Sequence, residues 1–233
     1  MKKIGIIGAM DEEVNILKGQ MQAVTVKTIA SMEFYEGKLL EKEVVIVRCG
    51  IGKVNAAVCT QVLADLFGVD TVINTGVAGS LRNEIDIADI VLSTDTLQHD
   101  VDASGFGYPV GVIPRMEQSV FKADERLIKL AKEVCSEVVP EIGVHTGRIV
   151  SGDQFISDSE KKAWLTHNFD GYCTEMEGAA IAHTAYLNNI PFLIIRAISD
   201  KADHSAEMTY KDFEEIAIRN TVKLLVGLIK RLD

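Results

Sequence analysis

The sequence predicts an α/β fold in a single domain over residues 1–233, with a central sheet flanked by helices. Two observations carry this. Short apolar runs such as VVIVRCG (44–50) and PFLIIRAIS (191–199) have the continuous hydrophobicity of strands buried on both faces. Segments with helical spacing separate such runs along the whole length, an order that builds a mostly parallel or mixed sheet. No repeat, low-complexity tract or linker interrupts the 233 residues, a length that supports one large core.

In chain order, IGIIGAM (4–10) reads as a strand, and EEVNILKGQMQ (12–22) as a helix with Val14, Leu17 and Met21 on one face. Alternating segments at 24–30 and 33–40 lead to the strand at 44–50. AAVCTQVLADLF (56–67) is a helix and TVINTG (71–76) a buried strand, and IADIVLSTDTLQ (87–98) reads as two strand segments. The stretch 99–120 is aperiodic and holds Gly105, Gly107, Pro109, Gly111 and Pro114; loops of that length in a compact domain usually serve function or an interface. A helix at 124–138, a strand at 143–152, a helix at 177–189, the strand at 191–199 and a long terminal helix at 208–232 complete the chain.

The formal net charge of −10 and the lack of a Lys/Arg stripe exclude nucleic-acid and anionic-membrane binding as working expectations. Cys49, Cys59, Cys135 and Cys173 are too scattered for a CxxC pattern and read as reduced, mostly buried thiols. The apolar run after Met1-Lys2-Lys3 meets Asp11-Glu12-Glu13 after seven residues, unlike a signal peptide. No stretch approaches the ~20 apolar residues of a spanning helix. The expectation is a soluble, cytoplasmic protein.

Some motifs carry less than they suggest. Gly50-Ile51-Gly52-Lys53 imitates a phosphate loop, but Val47 and Val54 stand where that motif needs Gly and Ser/Thr. Gly5-Ile6-Ile7-Gly8 and Gly76-Val77-Ala78-Gly79 each lack one glycine of the dinucleotide fingerprint, though they suggest close approach to the backbone after a strand end. The five histidines have no metal-ligand spacing, and His99-Asp100-Val101-Asp102 reads as a solvated loop.

The informative residues are acids just beyond strand ends, where α/β sites form. Asp11-Glu12-Glu13 open a helix, so at least two of them read as acids stabilising its macrodipole, while the third is free to point into a cleft. Asp200 follows Ser199 at the end of a buried strand, either capping a turn or acting as a desolvated general acid. Glu175-Met176-Glu177 precede a helix and read first as capping residues. Arg196 lies inside an apolar strand, where a guanidinium must be paired, and Glu175 or Glu177 is its natural partner.

Together GIIGAMDEE, VRCGIGKVNAA, INTGVAGS, QHDVDASGFGYPVGVIP, IVSGDQFI, EMEGAA and RAISDKA resemble, in order and over essentially the whole chain, the methylthioadenosine/adenosylhomocysteine nucleosidases. The resemblance implies a mixed central sheet, a homodimer, no metal and no cofactor. It implies hydrolysis of the N-glycosidic bond of 5′-methylthioadenosine and S-adenosylhomocysteine, releasing adenine and the 5′-thioribose product. By the same resemblance Glu13 is the water-activating carboxylate and Asp200, beside Ser199, the acid that protonates adenine N7. Glu177 binds the ribose hydroxyls, Met176 packs on the sugar, Phe155 stacks on adenine and the Ile156 backbone reads its edge. Arg196 and Glu175 complete a polar floor; Met10, Ile51 and Tyr210 wall the 5′ side; Val77 and Gly79 belong to the ribose-side loop. Phe106 and Pro114 match residues lent to the neighbouring subunit's site.

Two departures stand out: Val77 replaces a usual Ser, and Thr174 and Gly178 flank the EME triplet where apolar and Ala residues are common. A phosphorylase of the same fold is the nearest alternative, but Val77 and Asn74 stand where its phosphate-binding Ser and Arg would lie, and a dianion needs charge-assisted donors. A nucleoside-binding protein without catalysis is a second alternative, disfavoured by the presence of Glu13, Asp200 and Glu177 together.

Overall fold

The computed structural model describes residues 3–203 and 206–232, the side chains of 207–212 and 214 excepted. Ten strands form one sheet. They are β1 (Ile4–Gly8), β2 (Gln22–Ile29), β3 (Met32–Leu39), β4 (Lys42–Arg48), β5 (Thr71–Ser80), β6 (Ile90–Gln98), β7 (Phe121–Lys122), β8 (Val144–Ser151), β9 (Cys173–Glu175) and β10 (Phe192–Asp200). The α-helices are α1 (Asp11–Lys18), α2 (Lys53–Val62), α3 (Glu125–Val138), α4 (Ser159–Phe169), α5 (Gly178–Leu187) and α6 (Ala206–Arg231).

The sheet is mixed, and half of it closes on itself. β10 pairs in parallel with β5 and antiparallel with β6. β6 pairs with β8, β8 with β9, and β9 with β5, which completes a ring of five strands. From β5 the sheet continues outward through β1, β4, β3 and β2. Closure removes the free edges from the half of the sheet that carries Glu175 and Asp200. β5 and β10 are buried almost end to end, so their apolar runs are continuous. Across β1, β5 and β10, Ile6, Ile73 and Leu193 stand side by side in register, all fully buried.

Several boundaries differ from the sequence expectation. The predicted helix over 12–22 ends at Lys18, because Gln22 already begins a hairpin strand. The predicted helix at 56–67 starts at Lys53, and its last turn, 63–67, widens to a π-helix that ends on Gly68 at φ 60°. The two strand segments read at 87–98 are one strand, β6, with an irregularity between Ser93 and Thr96. α4, β7 and β9 were not legible in the sequence. α4 buries only Leu165 and Phe169, too few for a clear stripe, and its start is fixed by the Asp158 carboxylate accepting the Lys161 N–H at 2.7 Å.

The four cysteines are buried free thiols. His99, expected in a solvated loop, is 1% exposed, with its ring against the Cα of Gly152. The stretch 99–120 is a loop with one short 3₁₀ turn at 104–106. Among the described residues no helix is long and apolar enough to cross a membrane.

Because Ile73 is flanked by two strands and fully buried, Ile73→Ala is expected to cost about 2–5 kcal/mol in urea unfolding. A loss below about 1 kcal/mol would mean that β5 is not the packed centre of this sheet.

Candidate active site

The C-terminal ends of β1, β4, β5 and β10 surround a cleft of about 220 Å³. Parallel strands leave such a crevice where their connections diverge. The turn after β1 and the first turn of α1 supply Met10 and Glu13, the β4–α2 turn supplies Ile51, and β5 supplies Val77 and Gly79. Phe155 comes from the loop after β8, Glu175, Met176 and Glu177 from the β9–α5 junction, and Ser199 and Asp200 from the end of β10. A side lobe of about 30 Å³ adds Ile156 and Gln154. A larger hollow of about 370 Å³ lies at the opposite end of the sheet, beside Ile4 and Thr71. Its ionic residues, Arg126, Lys129, Glu133 and Arg231, are exposed, so it lacks the desolvated groups that chemistry needs.

Glu13 serves both of its sequence readings at once. One carboxylate oxygen accepts the N–H groups of Ala9 at 2.6 Å and Met10 at 3.0 Å, and the other accepts the Val77 N–H at 3.4 Å. These bonds fix a side chain that is 4% exposed and lines the cleft. Burial raises its pKa; the nearby Arg196 charge and the three backbone donors oppose that rise.

Asp200 is 2% exposed. It accepts the Ala202 N–H at 2.8 Å and the Ser199 hydroxyl at 2.9 Å. Burial raises its pKa against those two hydrogen bonds. A carboxyl with a raised pKa keeps its proton closer to neutral pH, as a general acid requires.

Behind the cleft lies a charge cluster. Arg196 is 1% exposed and does not line the cleft. Its guanidinium donates to Glu175, to Asn74 Oδ1 at 2.6 Å and to the Ile195 carbonyl at 3.2 Å. Glu175 also accepts the Ser151 hydroxyl and the N–H groups of Glu177 at 3.0 Å and Gly178 at 2.7 Å. The capping reading of Glu175 and the ion-pair reading therefore hold together. Burial pushes the Glu175 pKa up, but Arg196 and these donors bring it below the ordinary value. Glu177 is one step further away, 3.9 Å from Arg196, and accepts the Gly52 N–H at 2.9 Å. Burial, with the Glu175 charge next, pushes its pKa up to about 8. Gly76 makes the cluster possible, since a Cβ there would lie 2.7 Å from Glu13 Oε1 and 2.9 Å from Arg196 Nη1.

Of the residues read from the sequence, Phe106 and Pro114 do not line this cleft; Phe106 is 88% exposed in its loop. The Tyr210 side chain lies outside the described residues. Ser151 and Thr174 escaped the sequence reading as site residues. Ser151 joins Glu175 to the Ala179 N–H, while Thr174 lines the cleft. A serine closing a buried strand was the available signal for the first. Gly178 leaves little room for the more usual Ala, because a Cβ would meet Ile194 Cγ2 at 2.9 Å.

Residues 3–230 match the family model of the phosphorylase superfamily. The chain is 44% identical over 232 residues to a 5′-methylthioadenosine/S-adenosylhomocysteine nucleosidase from Exiguobacterium sp., covering 99% of both chains. It is similar to the solved nucleosidase of the same name from Neisseria meningitidis in complex with methylthio-immucillin-A (TM-score 0.95, 39% identity, 100% of both chains). It is also similar to futalosine hydrolase from Helicobacter pylori (TM-score 0.94, 36% identity, 99% of this chain and 98% of that one).

Removing one partner of a buried ion pair leaves the other charge stranded. Arg196→Met is therefore expected to destabilise the protein by about 3–5 kcal/mol in urea, and adding Glu175→Gln should restore part of the loss. A single variant as stable as the parent would show that the cluster does not need its cation.

Proposed function

Starting from the chain's membership of the 5′-methylthioadenosine/S-adenosylhomocysteine nucleosidase family, we propose that it hydrolyses the N-glycosidic bond of these two nucleosides, releasing adenine and the 5′-thioribose product. The observation that carries this is one cleft in which two of the four buried carboxyls, Glu13 and Asp200, stand on different strand ends with different hydrogen-bond environments. Acid and base work in glycoside cleavage needs such a pair.

In this reaction Asp200 gives its proton to adenine N7, so the base leaves neutral rather than as an anion. Ser199 orients the carboxyl. The C1′–N9 bond breaks with oxocarbenium character at C1′. Glu13 takes a proton from the attacking water, whose oxygen forms the new bond to C1′. Glu177 accepts from the ribose hydroxyls, Met176 packs against the sugar, and Phe155 and Ile156 hold adenine. Met10, Ile51, Val77 and Gly79 supply the remaining wall, with Tyr210 assigned to it by family resemblance. The whole chain, 1–233, acts as one nucleosidase unit, and the reaction calls for no metal or cofactor.

Water rather than phosphate is favoured as the nucleophile by the fate of the cleft's donors. The Arg196 guanidinium is engaged by Glu175, Asn74 and a backbone carbonyl. The first N–H groups at the α2 N-terminus, an anion site in other folds, are taken by Glu177 and Asp153. An incoming dianion would meet carboxylates instead of donors.

The family resemblance further supports a homodimer in which Phe106 and Pro114 enter the neighbouring cleft. The exposed apolar side chains of Val54 and Leu66, with Leu187 at the end of α5, are consistent with such an interface. α2 and α5 are joined by the Asn188–Gln61 hydrogen bond at 2.8 Å.

Adenine release from methylthioadenosine is expected in phosphate-free buffer, unchanged by added phosphate; release only with phosphate would make the protein a phosphorylase, and none at all a binder. Glu13→Gln and Asp200→Asn should each lower kcat by about 10² or more with folding intact. The parent's rate should fall on the acid side as Glu13 gains a proton and on the alkaline side as Asp200 loses one, both limbs displaced upward from the ordinary carboxylate range. A near-parental rate in either variant removes that residue from its role.

Serial dilution should lower activity per subunit as dimers separate, and Phe106→Ala should weaken substrate binding even in the dimer. A fully active monomer would rule out the shared site.

A further inference from the structure

Two motifs whose charged side chains the proposed chemistry leaves unused, Gly50–Lys53 and His99–Asp102, meet in the structure. Gly50 and Gly52 have φ values of 84° and 97°, left-handed conformations that suit glycine. They turn the chain so that Ile51 stands at the cleft, 56% exposed, while the Gly52 N–H reaches Glu177. Lys53 then begins α2 and extends its side chain toward the loop after β6. Its Nζ lies 2.6 Å from Asp100 Oδ1, with the two side chains only 18% and 19% exposed. The second Asp100 oxygen accepts the Asp153 N–H at 3.0 Å, and Asp153 Oδ1 accepts the Lys53 N–H at 2.8 Å.

Three interactions thus close a ring through three separate loops. The first loop carries Ile51, the third carries Phe155, and both line the cleft. The second is seated by His99, whose ring packs over Gly152, where a Cβ would collide with it. A solitary surface ion pair contributes little, because two mobile side chains must be ordered for it. This pair differs, since it is largely covered and two backbone N–H groups are tied into the same ring.

We propose that Lys53, Asp100 and Asp153 form a clasp that positions Ile51 and Phe155 on the cleft, so that nucleoside meets a preformed site. None of the three is a catalytic residue. The assignment rests on the nucleosidase reading for its consequence, but the clasp itself is a property of the protein without substrate. Glu13 and Asp200 are anchored elsewhere, by Ala9, Met10, Ala202 and Ser199. Loosening the clasp therefore makes the substrate order its own walls, a cost borne equally by ground and transition states. Its signature is a raised KM at constant kcat.

The test uses Lys53→Met, Asp100→Ala and the double variant in the full-length protein. Each single change should raise the KM for methylthioadenosine about fivefold with kcat within about twofold, the double variant should be no worse than either, and Lys53→Arg should recover most of the loss. Without substrate, amide hydrogen exchange at Lys53 and Asp153 should quicken in both single variants, while the β5 and β10 amides stay protected. An unchanged KM, or a fall in kcat at constant KM, overturns the positioning role, and unchanged exchange at both amides overturns the clasp. If the parent protein releases no adenine, the nucleosidase reading fails on its own, and the exchange result alone decides the clasp.

Discussion

A guanidinium in the middle of an apolar strand sets the terms for everything around it. Arg196 is completely enclosed, and a charge in that position is tolerated only when carboxylates and further acceptors surround it. Glu175 answers the charge directly, Asn74 and a backbone carbonyl take further donors, and Glu13 and Glu177 feel it at longer range. The result is a graded set of acids. Glu175 is held below its ordinary pKa, Glu177 is pushed up to about 8, and Glu13 is raised against the same cation. One buried charge thus lets several carboxyls share a small volume without all sharing one protonation state.

The same economy of donors underlies the proposed choice of water over phosphate as nucleophile. An anion-binding cleft needs free N–H groups and an available cation. Here the protein's own side chains occupy them: Glu177 and Asp153 at the start of α2, Glu175 at the start of α5. The Glu175 bond is local to the start of α5, whereas Glu177 and Asp153 reach the start of α2 from distant loops, and the same bonds hold the carboxylates in place. Helix capping and site construction are one set of hydrogen bonds in this fold.

The closed half of the sheet converts strand ends into a rim. With β10 paired to both β5 and β6, residues following β1, β4, β5, β8 and β10 converge without any long excursion of the chain. The loops added to that rim are short and tied by side chains. The Gly50–Lys53 turn, which imitates a phosphate loop in sequence, instead directs its backbone donors at carboxylates.

Much of this was legible before any fold was known, because the covalent pattern carries it. Continuous apolar runs identify β1, β4, β5 and β10, since strands covered on both faces need no polar side. Acids that follow such runs identify Glu13 and Asp200 as candidates, since strand ends are where clefts form, while Glu175 and Glu177 stand out at a helix start. The isolated Arg196 demands a carboxylate partner for electrostatic reasons alone. What spacing cannot carry is which distant residues become neighbours. α4 was missed because it buries too little to leave a stripe, and β9 because three residues carry no period. Ser151 as a support for Glu175, Asn74 as the brace of Arg196 and the Lys53–Asp100 pair join residues 24, 122 and 47 positions apart. Those contacts exist only once the strand ring has closed and brought the loop ends together. Local sequence therefore marked most of the apolar core and its charged exceptions, and the tertiary structure decided which groups meet and covered His99, which nothing in its own stretch marked as buried.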